Sequence, residues 1–147
     1  MTGTAQGLIG IDVGTSATKV LLIDGSGVVL AKHTAGYPLS TPRPGWAEQD
    51  PALWWRAVEA GLAAVRESIG DSLEILGVGL SGQMHGLVPL DAGDRVIRPA
   101  ILWNDQRNAR QSAWITERAG GLDGLLGMTN NPMLIGYTGG KVVWLRD

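Results

Sequence analysis

Three observations predict an α/β fold with a mixed sheet. Residues 8–13, 19–23 and 28–33 are short runs rich in β-branched and aliphatic side chains. The connections between them are too short for a parallel crossover, so the runs must form an antiparallel meander. A helical pattern from Pro51 to Gly70 is followed by an apolar strand over 74–80, and a helix between two strands implies a right-handed parallel crossover in one sheet.

Each element has a local cause. The turn at 24–27, Asp-Gly-Ser-Gly, closes the second hairpin of the meander. Three prolines and Trp46 make residues 36–50 an irregular but constrained loop. Asp50-Pro51 then supplies an N-cap and a proline at the first helical position. Leu53, Ala57, Leu62, Val65 and Ile69 recur at helical spacing, with Arg56, Glu59 and Glu67 on the other side, so the apolar stripe should lie on the sheet. Gly70 ends the helix. Residues 87–90 and 96–102 flank the Asp91-Ala-Gly-Asp94 turn as a further hairpin, with Pro99 at a strand end. Asn104 or Asp105 is expected to cap a second helix that runs to Ala119 and closes at Gly120-Gly121. A short helix over 122–126, a loop over 129–137 and a helical pattern from Lys141 to Arg146 complete the chain.

Composition excludes several functions. The 147 residues are 44% hydrophobic and 18% charged, enough to bury roughly 68–70% of the unfolded surface in one domain. Twelve basic against fourteen acidic residues give −2, with no run of one sign to grip a nucleic acid or an anionic membrane. With no cysteine and only His33 and His85, neither a disulfide framework nor a zinc cluster can be assembled. No stretch approaches the ~18 apolar residues of a membrane helix, and residues 1–13 make a poor signal peptide. A cytoplasmic protein is the expectation.

Chemistry concentrates in three stretches. Ile9-Gly-Ile-Asp-Val-Gly-Thr-Ser-Ala-Thr-Lys19 sets Asp12 at a strand end beside a small-residue turn, Gly14-Thr15-Ser16, whose donors can cradle phosphate oxygens. A bare carboxylate about 4 Å from a phosphate is repelled by ~4 kcal/mol at an effective dielectric near 20, so Asp12 suits such a site with magnesium or its waters between. Lys19 can add positive charge. A plain hairpin with a solvated Asp and Lys is the competing reading. The stretch is not a Walker-type loop, and Gly77-Val-Gly-Leu-Ser-Gly82, although it matches the dinucleotide pattern literally, lies in a strand with no helix after it. Gln83, Met84 and His85 follow the C-terminal end of that strand, where open α/β sheets bind ligands. A hydrogen-bonded turn histidine is the alternative for His85. In Trp103-Asn-Asp-Gln-Arg107, Asp105 reads equally as an N-cap and as a contact to a sugar hydroxyl. Trp46, Trp54 and Trp55 can offer a face to a sugar ring or serve as packing.

Together, Ile9-Gly-Ile-Asp-Val-Gly-Thr-Ser, Trp46-Ala-Glu-Gln-Asp-Pro51 with Trp54-Trp55, Gly82-Gln-Met-His-Gly86 and Arg98-Pro-Ala-Ile-Leu-Trp-Asn-Asp-Gln-Arg107 resemble the FGGY carbohydrate kinases, most closely their xylulose-phosphorylating branch. The resemblance implies the ribonuclease-H-like, actin-type ATPase fold, with ATP and Mg as cofactors and D-xylulose as the sugar. By the same resemblance Asp12 is the residue near magnesium and phosphate, and Gly14, Thr15, Ser16 and Lys19 are phosphate-facing. Met84 and His85 contact the ketose, with Gln83 and Asp105 lining the same mouth. The resemblance runs over 8–147 and leaves 1–7 as an N-terminal tail. The aspartate that serves the family as general base and the adenine-binding domain lie beyond this stretch, so the 147 residues read as an incomplete first domain, inactive alone. Gly139-Gly140 replaces the Ala-Pro usual before Lys141, which should loosen the entry to the last helix. A ribulose, ribitol or glycerol kinase, and a non-catalytic sugar-binding remnant, are the alternatives. A second copy of the chain or a further C-terminal portion are the expected partners besides the sugar.

Overall fold

Alternation of apolar residues with a period of two sets the first strands. The computed structural model describes residues 5–70 and 73–147. β1 (Ala5–Val13), β2 (Ala17–Asp24) and β3 (Val29–Gly36) form the expected antiparallel meander, and β5 (Leu73–Gly82) joins β1 in parallel, giving the order β3-β2-β1-β5. The mixed sheet is therefore as the spacing of the runs predicts. β1 starts at Ala5 and pairs Ala5 with Leu73, so residues 5–7 are strand and not tail; residues 1–4 of that expected tail lie outside the described residues. The added ladder bonds to β2 and β5 outweigh the low strand propensity of Gly7.

The chain divides into two compact units, where its length alone allowed one. The first comprises residues 1–38 and 52–83. In it, one face of the sheet is covered by α1 (Pro51–Ile69), which begins at the expected proline. Ile11, Val20, Leu22 and Val65 form the buried core, with Ile9, Val13, Val58, Leu62 and Ile69 packed around them, so the helical stripe does lie on the sheet. Side chains alternate across a strand, so the same pleat turns Leu8, Gly10 and Asp12 of β1, and Lys19 and Leu21 of β2, to the other face.

Gly61 sits where α1 crosses β2, and a Cβ there would overlap the Cγ2 methyl of Val20. Valine is stiff at χ1, so the strand side chain cannot swing away. Gly61→Val is expected to lower the unfolding free energy by about 2–3 kcal/mol in urea titration. Gly127→Ala, at a helical glycine with open space around it, should instead raise it by about 0.5–1 kcal/mol.

The second unit comprises residues 39–51 and 84–147. Its sheet is only β4 (Glu48–Gln49) against β6 (Ala100–Ile101). The expected hairpin over 87–102 is present as isolated bridges, Leu87 to Ile101 and Leu90 to Val96, closed by Asp91, whose Oδ1 accepts the amides of Gly93 and Arg95. Those bonds hold the Asp91 carboxyl below its ordinary range, with the Arg95 amide the largest cause. Helices α2 (Ala109–Arg118), α3 (Gly121–Thr129) and α4 (Thr138–Arg146) follow. Gly120, at φ +85°, makes the left-handed break between α2 and α3.

Two expectations are corrected here. α2 starts four residues after Asp105, behind Asn108, which makes no side-chain cap. Asp105 is drawn instead into an ion-pair network, described below. Gly139 and Gly140 lie inside the first turn of α4, not in a loosened approach to it. A Cβ on Gly140 would overlap Asn108 and Ser112 of the α2 region, so its absence is what lets α4 close on α2. No helix among the described residues is long and apolar enough to cross a membrane.

Candidate active-site elements

The open face of the first unit carries Asp12. It stands directly across the antiparallel ladder from Lys19 and across the parallel ladder from Ser81, so three polar residues share one row. Below them Gly10 pairs with Gly79; neither has a side chain, and open space stands above Gly10. The result is an open cleft of about 320 Å³ lined by Gly10, Asp12, Lys19, Leu21, Gly79, Leu80 and Ser81. Asp12, Lys19 and Ser16 are all exposed, free to reach a ligand.

The turn from β1 to β2 is braced rather than open-handed. The Gly14 amide donates to the Ala17 carbonyl at 3.0 Å, so it is already committed and is not a free phosphate donor. The Gly14 carbonyl accepts the Tyr37 hydroxyl, the Tyr37 amide donates to the Ser16 carbonyl, and Thr18 Oγ1 donates to the Tyr37 oxygen. Tyr37 is buried, which pushes its phenol above the ordinary range; the Thr18 bond opposes this and the Asp12 charge adds to it. Sequence reasoning missed Tyr37.

At the end of β5 the Gln83 amide extends the parallel ladder, donating to the Val13 carbonyl at 3.0 Å. Met84 and His85 come next in the chain and belong to the second unit. Both are exposed, Met84 at 68%. His85 has φ +60°, a left-handed conformation that costs a residue with a Cβ about 1–2 kcal/mol. Its ring stacks on Tyr137, with centroids 4.3 Å apart, and its carbonyl accepts a hydrogen bond from Lys141 at 2.6 Å. The turn is thus held by its backbone while its side chains face outward.

Asp105 does the opposite. It is fully buried, and its two oxygens accept four hydrogen bonds: Oδ2 from the Ala47 amide at 2.6 Å and Arg107 Nη2 at 2.7 Å, Oδ1 from the Arg107 amide at 2.9 Å and Nε at 2.8 Å. A carboxylate so saturated has no lone pair left for a sugar hydroxyl. The expected sugar contact is therefore corrected to a structural one. Arg107 also pairs with Glu48 at 2.7 Å, and Glu48 in turn with Arg98, so two carboxylates balance two guanidiniums. The Arg107 guanidinium lies 3.6 Å from the centroid of Trp46 and 4.9 Å from that of Trp144. Trp46 is accordingly a packing platform for the guanidinium. Trp55 on α1 is exposed.

Residues 8–147 match the description "FGGY family of carbohydrate kinases, N-terminal domain". The chain belongs to the FGGY family of carbohydrate kinases. The xylulose kinase of Bacillus subtilis (strain 168) is 43% identical over 141 residues, which is 95% of this chain and 28% of that protein. Among solved structures, the FGGY chain superposes on the xylulose kinase from Rhodospirillum rubrum with a TM-score of 0.88 at 32% identity, over 95% of this chain and 29% of the other. The gluconate kinase from Lactobacillus acidophilus gives a TM-score of 0.86 at 31% identity, over 97% and 28%. The chain thus spans under a third of the length of these relatives. The fold of this FGGY segment is the actin-like, ribonuclease-H-like one that the family resemblance implies, and the meander and crossover helix agree with it.

Proposed function

We propose that this chain supplies the phosphate-facing strand turn and the sugar-facing turn of an ATP-dependent kinase acting on D-xylulose. The observation that carries the reading is the 43% identity to a xylulose kinase across 95% of the chain. Met84 and His85, exposed on a backbone held in place, are assigned the ketose. Gln83, whose amide is held at the end of β5, is assigned to the mouth beside them.

Among the described residues no group of three or more His, Cys, Asp or Glu is placed to hold a metal. A single exposed carboxylate, Asp12, on the open face suits magnesium, which is commonly held by one or two carboxylates together with phosphate oxygens and waters. Asp12 is the carboxylate assigned to it. When bound, magnesium and ATP supply the γ-phosphoryl group and neutralise its charge. Lys19 places a positive charge across the ladder from Asp12, and the Ser16 and Thr15 hydroxyls supply donors at the turn. Tyr37 keeps the Gly14 peptide in one orientation throughout.

Transfer to a primary hydroxyl also needs a base to take its proton, and the family resemblance puts that base outside these 147 residues. The isolated chain is expected to bind D-xylulose without forming a phosphate ester. Calorimetry against D-xylulose, D-ribulose, gluconate and glycerol, followed by incubation with ATP and magnesium, tests both halves. Preference for another of these ligands would replace the substrate, and the similarity to a gluconate kinase makes gluconate the first alternative. Phosphorylation by the isolated chain would overturn the assignment of the base.

A further inference from the structure

Lys141 is the largest fully buried side chain among the described residues. It makes no ion pair among the described residues: its ammonium donates to two backbone carbonyls, that of His85 and that of Gly136, each at 2.6 Å. Burial lowers its pKa to about 8; the Asp105 charge opposes that shift and the Arg107 charge adds to it. Burying an amine against two neutral carbonyls carries a desolvation cost that the two short hydrogen bonds offset, and the same bonds tie both carbonyls to one point.

The carbonyls belong to segments that meet at one ring pair. His85 carries the left-handed backbone, and Gly136 directly precedes Tyr137, whose ring stacks on the His85 imidazole. Gly136 and Gly140 precede the lysine at places where a Cβ would strike the Trp103 carbonyl and the Asn108 side chain. The small residues thus fix the base of α4, and the base of α4 fixes the ammonium.

We propose that Lys141 is the positioning residue of the sugar-facing turn, acting through the His85 carbonyl. It holds the peptide after His85 in the strained conformation and so aims the Met84 and His85 side chains outward. It does not touch the sugar. The inference rests on the assignment of Met84 and His85 to the ketose.

The test uses the 147-residue chain, whose only two histidines make imidazole proton resonances easy to separate. His85 should be shifted by the Tyr137 ring current, while His33, on β3, serves as the internal control. Lys141→Met, similar in length but without donors, is expected to move the His85 resonances toward those of an unstacked imidazole, leave His33 unchanged, and raise the Kd for D-xylulose about tenfold or more. Lys141→Gln, one atom shorter and able to reach one carbonyl, should change both readouts in the same direction by less, and it carries the comparison if the Met variant does not fold. A folded variant of either kind with wild-type His85 resonances would overturn the proposal, even if its melting temperature had dropped. If the resonances move but the wild-type chain binds no D-xylulose, the hold on the turn stands and the sugar assignment fails.

Discussion

Asp12→Asn, made in a complete kinase polypeptide that carries this segment, is expected to lower kcat for D-xylulose phosphorylation by about 10²–10³-fold, the usual cost of removing one charge-organising group from a polar transition state. The substitution keeps the shape of the side chain and removes only its charge. Asp12 is exposed on the open face of the sheet, and its side chain holds no hydrogen bond or ion pair among the described residues, so stability should change by less than about 0.5 kcal/mol. A coupled assay of ADP release with a parallel thermal melt separates the two effects. Activity within a few-fold of wild type would return the β1–β2 turn to an ordinary hairpin with a solvated carboxylate.

Asp105→Ala is expected to act on stability, lowering the unfolding free energy by about 3–5 kcal/mol, because it strands a buried guanidinium. The Arg107 side chain is 1% exposed and would lose its bidentate partner, keeping only Glu48, which it shares with Arg98. The Ala47 amide would lose its acceptor as well. Equilibrium urea unfolding at constant salt measures the loss. Replacing Asp105 and Arg107 together by apolar residues should cost less than Asp105→Ala alone, since no buried charge is then left unpaired. In whatever fraction of the Asp105→Ala chain stays folded, D-xylulose affinity should be unchanged. A selective loss of sugar affinity with normal stability would restore the sugar-facing reading of this carboxylate.

The two substitutions show where local reasoning succeeds and where it stops. Asp12 could be read from the sequence because its placement is a local matter: a strand of alternating pattern delivers it to one face, and the turn after it is a matter of four residues. The start of α1 at Pro51, its stripe on the sheet and the break at Gly120 were legible for the same reason, each depending on neighbours within a turn or two. Asp105 is not legible in this way, because the N-cap and sugar-contact readings compete with a third possibility set from far away. Its acceptor capacity is consumed by Arg107 and by the amide of Ala47, 58 residues earlier.

By itself, then, the sequence determined the order of the first unit's strands and helix, its mixed sheet, the apolar face of α1 and the family motifs around Asp12 and Met84-His85. Those follow from periodicity and turn chemistry, which act over a few residues. Only the tertiary structure decided that Asp105 turns inward, that Tyr37 braces Gly14, that the chain divides into two units and that Lys141 reaches back 56 residues to the His85 carbonyl. Periodicity records which side of an element is apolar, but a buried charge or hydroxyl is placed by the partner that can satisfy it. That partner becomes its neighbour only once the chain has folded.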